Sequence, residues 1–296
     1  MAITTEEILQ EVEAGLDSMH LGFRLSAQDQ AVLDEPHRAS KNRILELEDK
    51  LPVDIMNELF RIANSPLYSK AGNQKVTDFW EVSSLLGLEN IKAYIFSSAL
   101  FGAARSIPDI LLLKNKALAT AGLSMAIMHN VLGFDSNTAS KVQLCALVSE
   151  FGKIPLFIYR QNNAGDKTIS EIMTDEFINI HHGKLGMCMV EKFDLPDFLK
   201  DLFDKKSLIF FEDAHEFSIT TIVRMVKLLV RDSFRNHGRL VLTSVVDDKY
   251  GAVSNSVGTE IQLFFDSLGI ADLLEIIPFE TPAQQNARRK KEDSLR

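Results

Sequence analysis

Apolar residues recur along this chain with the spacing of helices. Ile8, Val12 and Leu16 fall at i, i+4 and i+8 behind Thr4-Thr5-Glu6-Glu7, a capping residue followed by acidic first-turn positions, and predict a first helix. Leu33 to Leu51 is charged, with Leu45 and Leu47 as minor anchors, which predicts a largely exposed helix begun near Glu35-Pro36. Residues 53–63 carry apolar side chains at 55, 56, 59, 60, 62 and 63, the pattern of a mostly buried helix that Asn64-Ser65-Pro66 ends. Thr77 is placed to cap a helix running from Asp78 to Leu86, with Gly87 as its left-handed stop. Further helices are predicted from Glu89 to Gly102, Asn115 to Leu132, Ser140 to Ser149, Thr174 to Phe193, Pro196 to Phe203 and Ser218 to Phe234. The last carries a clear apolar stripe at Ile219, Ile222, Val223, Val226, Leu229 and Val230. Leu240 to Val246 is β-branched and strand-like by propensity, but no second strand of comparable quality stands out, so it is read as helix. The expected fold class is all-α.

Composition narrows what such a fold can do. With 296 residues and 46% hydrophobic content the chain can bury a sizeable core. Its 41 acidic against 32 basic residues, a formal charge of −9, argue against broad nucleic-acid binding, which depends on clustered cations displacing counterions. The basic run Arg288-Arg289-Lys290-Lys291 near the end is expected to be a disordered solubilising tail. Two cysteines, Cys145 and Cys188, provide neither a disulfide framework nor a zinc set, and both read as small core hydrophobes of a protein in the reducing cytoplasm. The acidic start Met1 to Ile8 lacks the features of a signal peptide, and the longest apolar runs fall short of a bilayer span, so no membrane association is expected. No Gly-x-Ser-x-Gly elbow, P-loop or dinucleotide glycine fingerprint occurs.

Several blocks stand in a definite order: Phe60-Arg61-Ile62-Ala63-Asn64-Ser65, Ser84-Leu85-Leu86-Gly87-Leu88-Glu89-Asn90-Ile91, Ala117-Leu118-Ala119-Thr120-Ala121, Gly152-Lys153, His182-Gly183-Lys184-Leu185-Gly186 and Leu195-Pro196. Each alone has a plain explanation as a helix stop or core filler, but the ordered set resembles the HDOD family, the HD-related output domain of bacterial signalling proteins. The resemblance covers roughly Lys50 to Phe203 and implies a single large multi-helix HD-like domain with flanking helices. The expected boundaries are a helical extension over 1–24, the HDOD-like domain over 25–278 and the basic tail over 279–296.

The resemblance also locates a candidate site. HD-type phosphohydrolases, a related superfamily, hold their metals with an early His, a His-Asp pair and later carboxylates, because the metal must activate a water and clamp phosphoryl oxygens. Aligned on that pattern, the early His falls on Lys116 and the pair on Ser149-Glu150, within the run Leu144 to Lys153. A serine hydroxyl is a poor ligand and a lysine opposes a divalent cation. The degenerate cavity is therefore expected to comprise Lys116, Ser149, Glu150, Lys153 and His182, with no catalytic residue, no metal and no cofactor. Lys116 is expected to pair with Glu150, an interaction whose loss would cost roughly 3–5 kcal/mol if buried. His181 and His182 point about 100° apart on a helix and cannot readily share one metal, so His182 is expected to pack near Glu150. What the resemblance implies is a non-catalytic signalling module acting on other signalling proteins or on a small ligand. Two alternatives remain open: a divergent phosphohydrolase using Glu150, His182 and Asp175 or Asp213, and a pseudo-enzyme binding a nucleotide with Lys116 and Lys153 facing its phosphates.

Overall fold

The structure is a computed structural model that describes residues 3–16, 25–65, 68, 75–103, 106–128, 136–204, 210–211, 214–244 and 251–278. It is mostly helical, as the spacing of apolar residues predicts. Helix α1 (Thr5–Gly15) starts with a capping box, in which the Glu7 amide donates to Thr4 Oγ1 (3.2 Å) and the Thr4 amide donates to Glu7 Oε2 (2.7 Å). Its apolar face, Ile8, Leu9 and Val12, packs into a separate small core with Leu156, Ile169, Phe177, Ile178 and Leu185.

The segment read as one exposed helix from Leu33 to Leu51 is instead α2 (Ala27–Asp34), a 3-10 turn at Pro36–Arg38, α3 (Lys41–Leu45) and a second 3-10 turn at Glu48–Lys50. It is also less exposed than its charges suggest. Ile44, Leu47 and Leu51 are buried in the main core, so tertiary burial of a few anchors outweighs the low apolar density. Helix α4 (Val53–Ala63) follows the prediction, and Asn64 closes it by donating to the Phe60 carbonyl at 3.0 Å. Helix α5 (Phe79–Leu86) is capped by Asp78, whose carboxylate accepts from the Glu81 amide at 2.7 Å, and not by Thr77. Asp is the stronger cap one residue later, and Gly87 ends the helix at φ 90°.

The centre is a pair of long helices, α7 (Pro108–Ala126) and α8 (Ser136–Val148), preceded by α6 (Ile91–Ala103). Ala117, Ala119, Thr120, Ala121 and Gly122 keep α7 thin, which lets neighbours approach on several sides. Between α5, α6 and α8 lies a buried polar knot: Tyr68 Oη donates to Gln143 Oε1 (2.6 Å), Tyr94 Oη donates to the Ser140 carbonyl (3.1 Å) and Ser140 Oγ donates to the Leu86 carbonyl (2.9 Å). Burial raises the Tyr68 phenol to about 12, so the knot stays neutral and satisfied.

After α8 come α9 (Lys153–Asn162), α10 (Lys167–Ile172), α11 (Asp175–Lys192), α12 (Lys200–Phe203), α13 (Ile219–His237) and α14 (Gly251–Leu268). The stretch Ser140–Asn162 is long and apolar enough to span a membrane by length and composition, but 78% of its apolar window is buried inside the fold, as in a core helix. Helix α13 packs over α7 and α8, and α14 packs on α7 and α4. Four short strands are described: β1 (Phe210–Phe211) pairs antiparallel with β2 (Ala214–Ser218), and β3 (Leu240–Ser244) pairs parallel with β4 (Leu274–Pro278). The helix expected from Leu240 is thus a strand. Its partner comes from Leu274-Glu275-Ile276-Ile277, with α14 as the crossover that parallel pairing needs. The basic tail and residues 279–296 lie outside the described residues.

Glycine sets the closest helix contact. A Cβ on Gly152, at the start of α9, would sit 1.8 Å from the His182 carbonyl oxygen and 2.6 Å from the Gly186 amide nitrogen of α11. A Cβ on Gly186 would in turn meet the Phe203 ring of α12 at 2.2 Å. The glycines of the Gly-Lys and His-Gly-x-x-Gly blocks are therefore packing residues that bring α9, α11 and α12 together. Gly152→Ala is expected to lower stability by about 3 kcal/mol, because backbone atoms cannot step aside. Gly165→Ala, with nothing within 4 Å of the added carbon, should change little. Urea unfolding of the two variants checks this difference.

Candidate functional site

The turn after α8 carries the pair in question. Ser149 and Glu150 follow directly on Val148, and Phe151 anchors the turn in the main core beside the rings of Phe96 and Phe101, at 5.6 and 5.9 Å between centroids. The Lys153 amide donates to the Glu150 carbonyl at 3.0 Å, which folds Lys153 back over its own turn. Ser149 Oγ donates to the Ala146 carbonyl at 2.9 Å, so the hydroxyl turns toward its own helix.

Glu150 is only 9% exposed and is held between two ammonium groups. Lys153 Nζ lies 2.5 Å from its carboxylate, and Lys227 of α13 forms the other ion pair. Lys227 also donates to the Ser149 carbonyl at 3.4 Å. Burial by itself would raise the Glu150 pKa, but Lys227, Lys153 and His182 together outweigh it and bring the carboxyl down to about 2. The expected partner, Lys116, is not one of the two. Its side chain lies in the wall of the same cavity and forms no ion pair among the described residues. Burial, and then the charge of Lys153, push the Lys116 pKa down.

These residues line a cavity of about 770 Å³ between α7, α9, the start of α11 and α13. Lys116, Ser149, Glu150 and Lys153 share it, while His182 lines a smaller adjoining cavity of about 160 Å³ that meets the first at Ser149, Arg224 and Lys227. His181 instead packs at a tilt against the Phe177 ring, 4.5 Å between centroids, so the adjacent histidines do face different surroundings. Asp175 reaches the large cavity but is bound to Arg160 Nη1 at 2.8 Å, and Asp109 is bound to Arg160 Nη2 at 2.6 Å. Asp213, His129 and the side chain of His215 lie outside the described residues.

The HD pattern implies a divalent metal, and the donor set here does not fit one. Among the described residues no three His, Cys, Asp or Glu side chains converge as ligands. The carboxylate at the pair is already bound by two cations, and Lys116 adds a third positive charge to the same space. Neither cysteine is activated: burial pushes the Cys145 thiol up, and burial beside Glu13 does the same for the half-buried Cys188.

Lys227 is the site residue that sequence reasoning missed. Its signal was available as a second stripe on α13: Arg224, Lys227, Arg231 and Arg235 recur at spacings of three and four and all border the large cavity.

Glu150→Gln is expected to lower stability by about 3 kcal/mol near neutral pH, since it leaves two ammoniums facing each other. The folded pKa lies below the ordinary value, so this contribution is complete above about 4.5 and disappears as pH falls toward about 2. Chemical denaturation of wild type and variant across that range should show the gap closing. Lys116→Met is expected to leave stability unchanged or slightly raised, because it removes a half-buried cation repelled by Lys153; a thermal melt reads the sign.

Comparison with known proteins agrees with the fold. The HDOD domain matches residues 46–207. A solved structure from Shewanella amazonensis SB2B, named as a proposed metal-dependent phosphohydrolase, is 17% identical with a TM-score of 0.51, covering 89% of this chain and 98% of its own. An HDOD domain protein of unknown function from Geobacter sulfurreducens is 16% identical with a TM-score of 0.42, covering 91% of this chain and 94% of its own. No match was found among curated protein sequences. The match over residues 46–207 spans more than half of the chain, which therefore belongs to the HDOD family.

Proposed function

We propose that this chain is a non-catalytic regulatory module of bacterial cytoplasmic signal transduction, acting through what it binds. The observation that carries this reading is Glu150 clasped by Lys153 and Lys227. In a phosphohydrolase the carboxylate at this position would share a metal with histidines, and the metal would lower the pKa of a bound water. Here the carboxylate is neutralised internally, the serine hydroxyl is turned back to Ala146, and a divalent ion entering the cavity would meet lysines first. What remains is a rigid helical scaffold around a charged cavity. Such a scaffold supports recognition of a ligand or a signalling protein.

Metal analysis of the purified chain after incubation with manganese, iron and nickel tests this together with hydrolysis of bis(p-nitrophenyl) phosphate. The expected result is substoichiometric metal and no turnover above background. Stoichiometric metal accompanied by hydrolysis that Glu150→Gln abolishes would overturn the reading in favour of a divergent phosphohydrolase.

A further inference from the structure

The large cavity holds more positive charge than its carboxylates answer. Six basic side chains border it, Lys116, Lys153, Arg224, Lys227, Arg231 and Arg235, against the three carboxylates of Asp109, Glu150 and Asp175. Both aspartates pair with Arg160, outside this set, though Asp175 is largely exposed, and Glu150 alone serves Lys153 and Lys227. Lys116 and Arg235 form no ion pair among the described residues. The ion pair of Arg231 is with its neighbour Asp232, both well exposed at 62% and 61%, where such a pair contributes little. In a chain of net charge −9, this concentration of cations is local and against the overall balance.

The same wall is also apolar. Leu112 of α7 and Leu228 of α13 stand half-exposed, and Leu113 and Phe157 line the cavity with them. A volume of about 770 Å³ lies within the range of pockets that enclose drug-sized ligands. Four of the six cations come from α13, beyond the residues that match the HDOD domain.

We propose that the cavity between α7, α9 and α13 binds a small organic anion carrying at least two negative charges beside a planar or apolar group, in the manner of a nucleoside diphosphate. Lys116, Arg231 and Arg235 face the anionic groups, and Leu112, Leu113, Phe157 and Leu228 cover the apolar part. The depressed pKa of Lys116 fits this role, because an anion restores the compensation that burial removes. The inference names the ligand class for the binding module argued above and rests on that reading.

Calorimetric titration of the full chain at low salt with ADP, pyrophosphate and adenosine tests it. ADP is expected to bind, pyrophosphate more weakly, and adenosine weakest of the three. The double variant Lys116→Gln/Arg235→Gln should keep the wild-type melting temperature in the absence of ligand yet bind ADP about a hundredfold more weakly, from the loss of two charge-assisted contacts. Absence of binding by both ADP and pyrophosphate overturns the inference, as does adenosine binding as tightly as ADP. Unchanged ADP affinity in the double variant overturns its location. None of these outcomes touches the non-catalytic reading, which fails separately if ADP is hydrolysed during the titration.

Discussion

A carboxylate nine-tenths buried at the junction of three helices cannot stand alone, and the arrangement around Glu150 follows from that requirement. The unpaired charge would cost several kcal/mol in such surroundings, so it must be protonated, bound to a metal or matched by cations. This chain uses the third solution twice over, with Lys153 supplied by the same turn and Lys227 by a helix far downstream. The first lysine makes the compensation local and independent of the rest of the fold. The second ties α13 to the end of α8, and with it the whole basic face of that helix to the rim of the cavity. Electrostatic need at one residue thus determines which element closes the site.

The geometry that presents Glu150 is in turn a matter of packing. Gly152 allows the α8–α9 turn to rest directly on the backbone of α11, and Gly186 accepts the Phe203 ring on the other side. These contacts do not depend on what the cavity holds, so the scaffold and the chemistry of its cavity are separable.

Much of the fold was legible in the sequence where local chemistry decides it. The Thr4 cap, the buried face of α4 and, apart from the exposed Leu229, the stripe of α13 appear where spacing places them. Legibility failed where distant contacts decide. Ile44, Leu47 and Leu51 are buried by neighbours that no local pattern announces, and β3 acquires its partner only after an intervening helix. Within the site, the positions of Lys116, Ser149, Glu150 and Lys153 followed from the aligned blocks, and the structure does bring them to one cavity. The identity of the partners did not follow, because the aligned pattern points to Lys116, and only the three-dimensional path of α13 brings Lys227 to Glu150 instead.

The clasp on Glu150 constrains how this protein can change over generations. A substitution that removes Lys227 leaves Lys153 to compensate the carboxylate alone, and one that neutralises Glu150 leaves two adjacent ammoniums in repulsion. Losing Glu150 alone raises the local charge from one positive unit to two, whereas losing Glu150 and Lys227 together leaves the single positive charge of Lys153 without that repulsion. Positions 150 and 227 are thus energetically coupled across the edge of the matched domain: a neutral residue at 150 is tolerated better once 227 is neutral too.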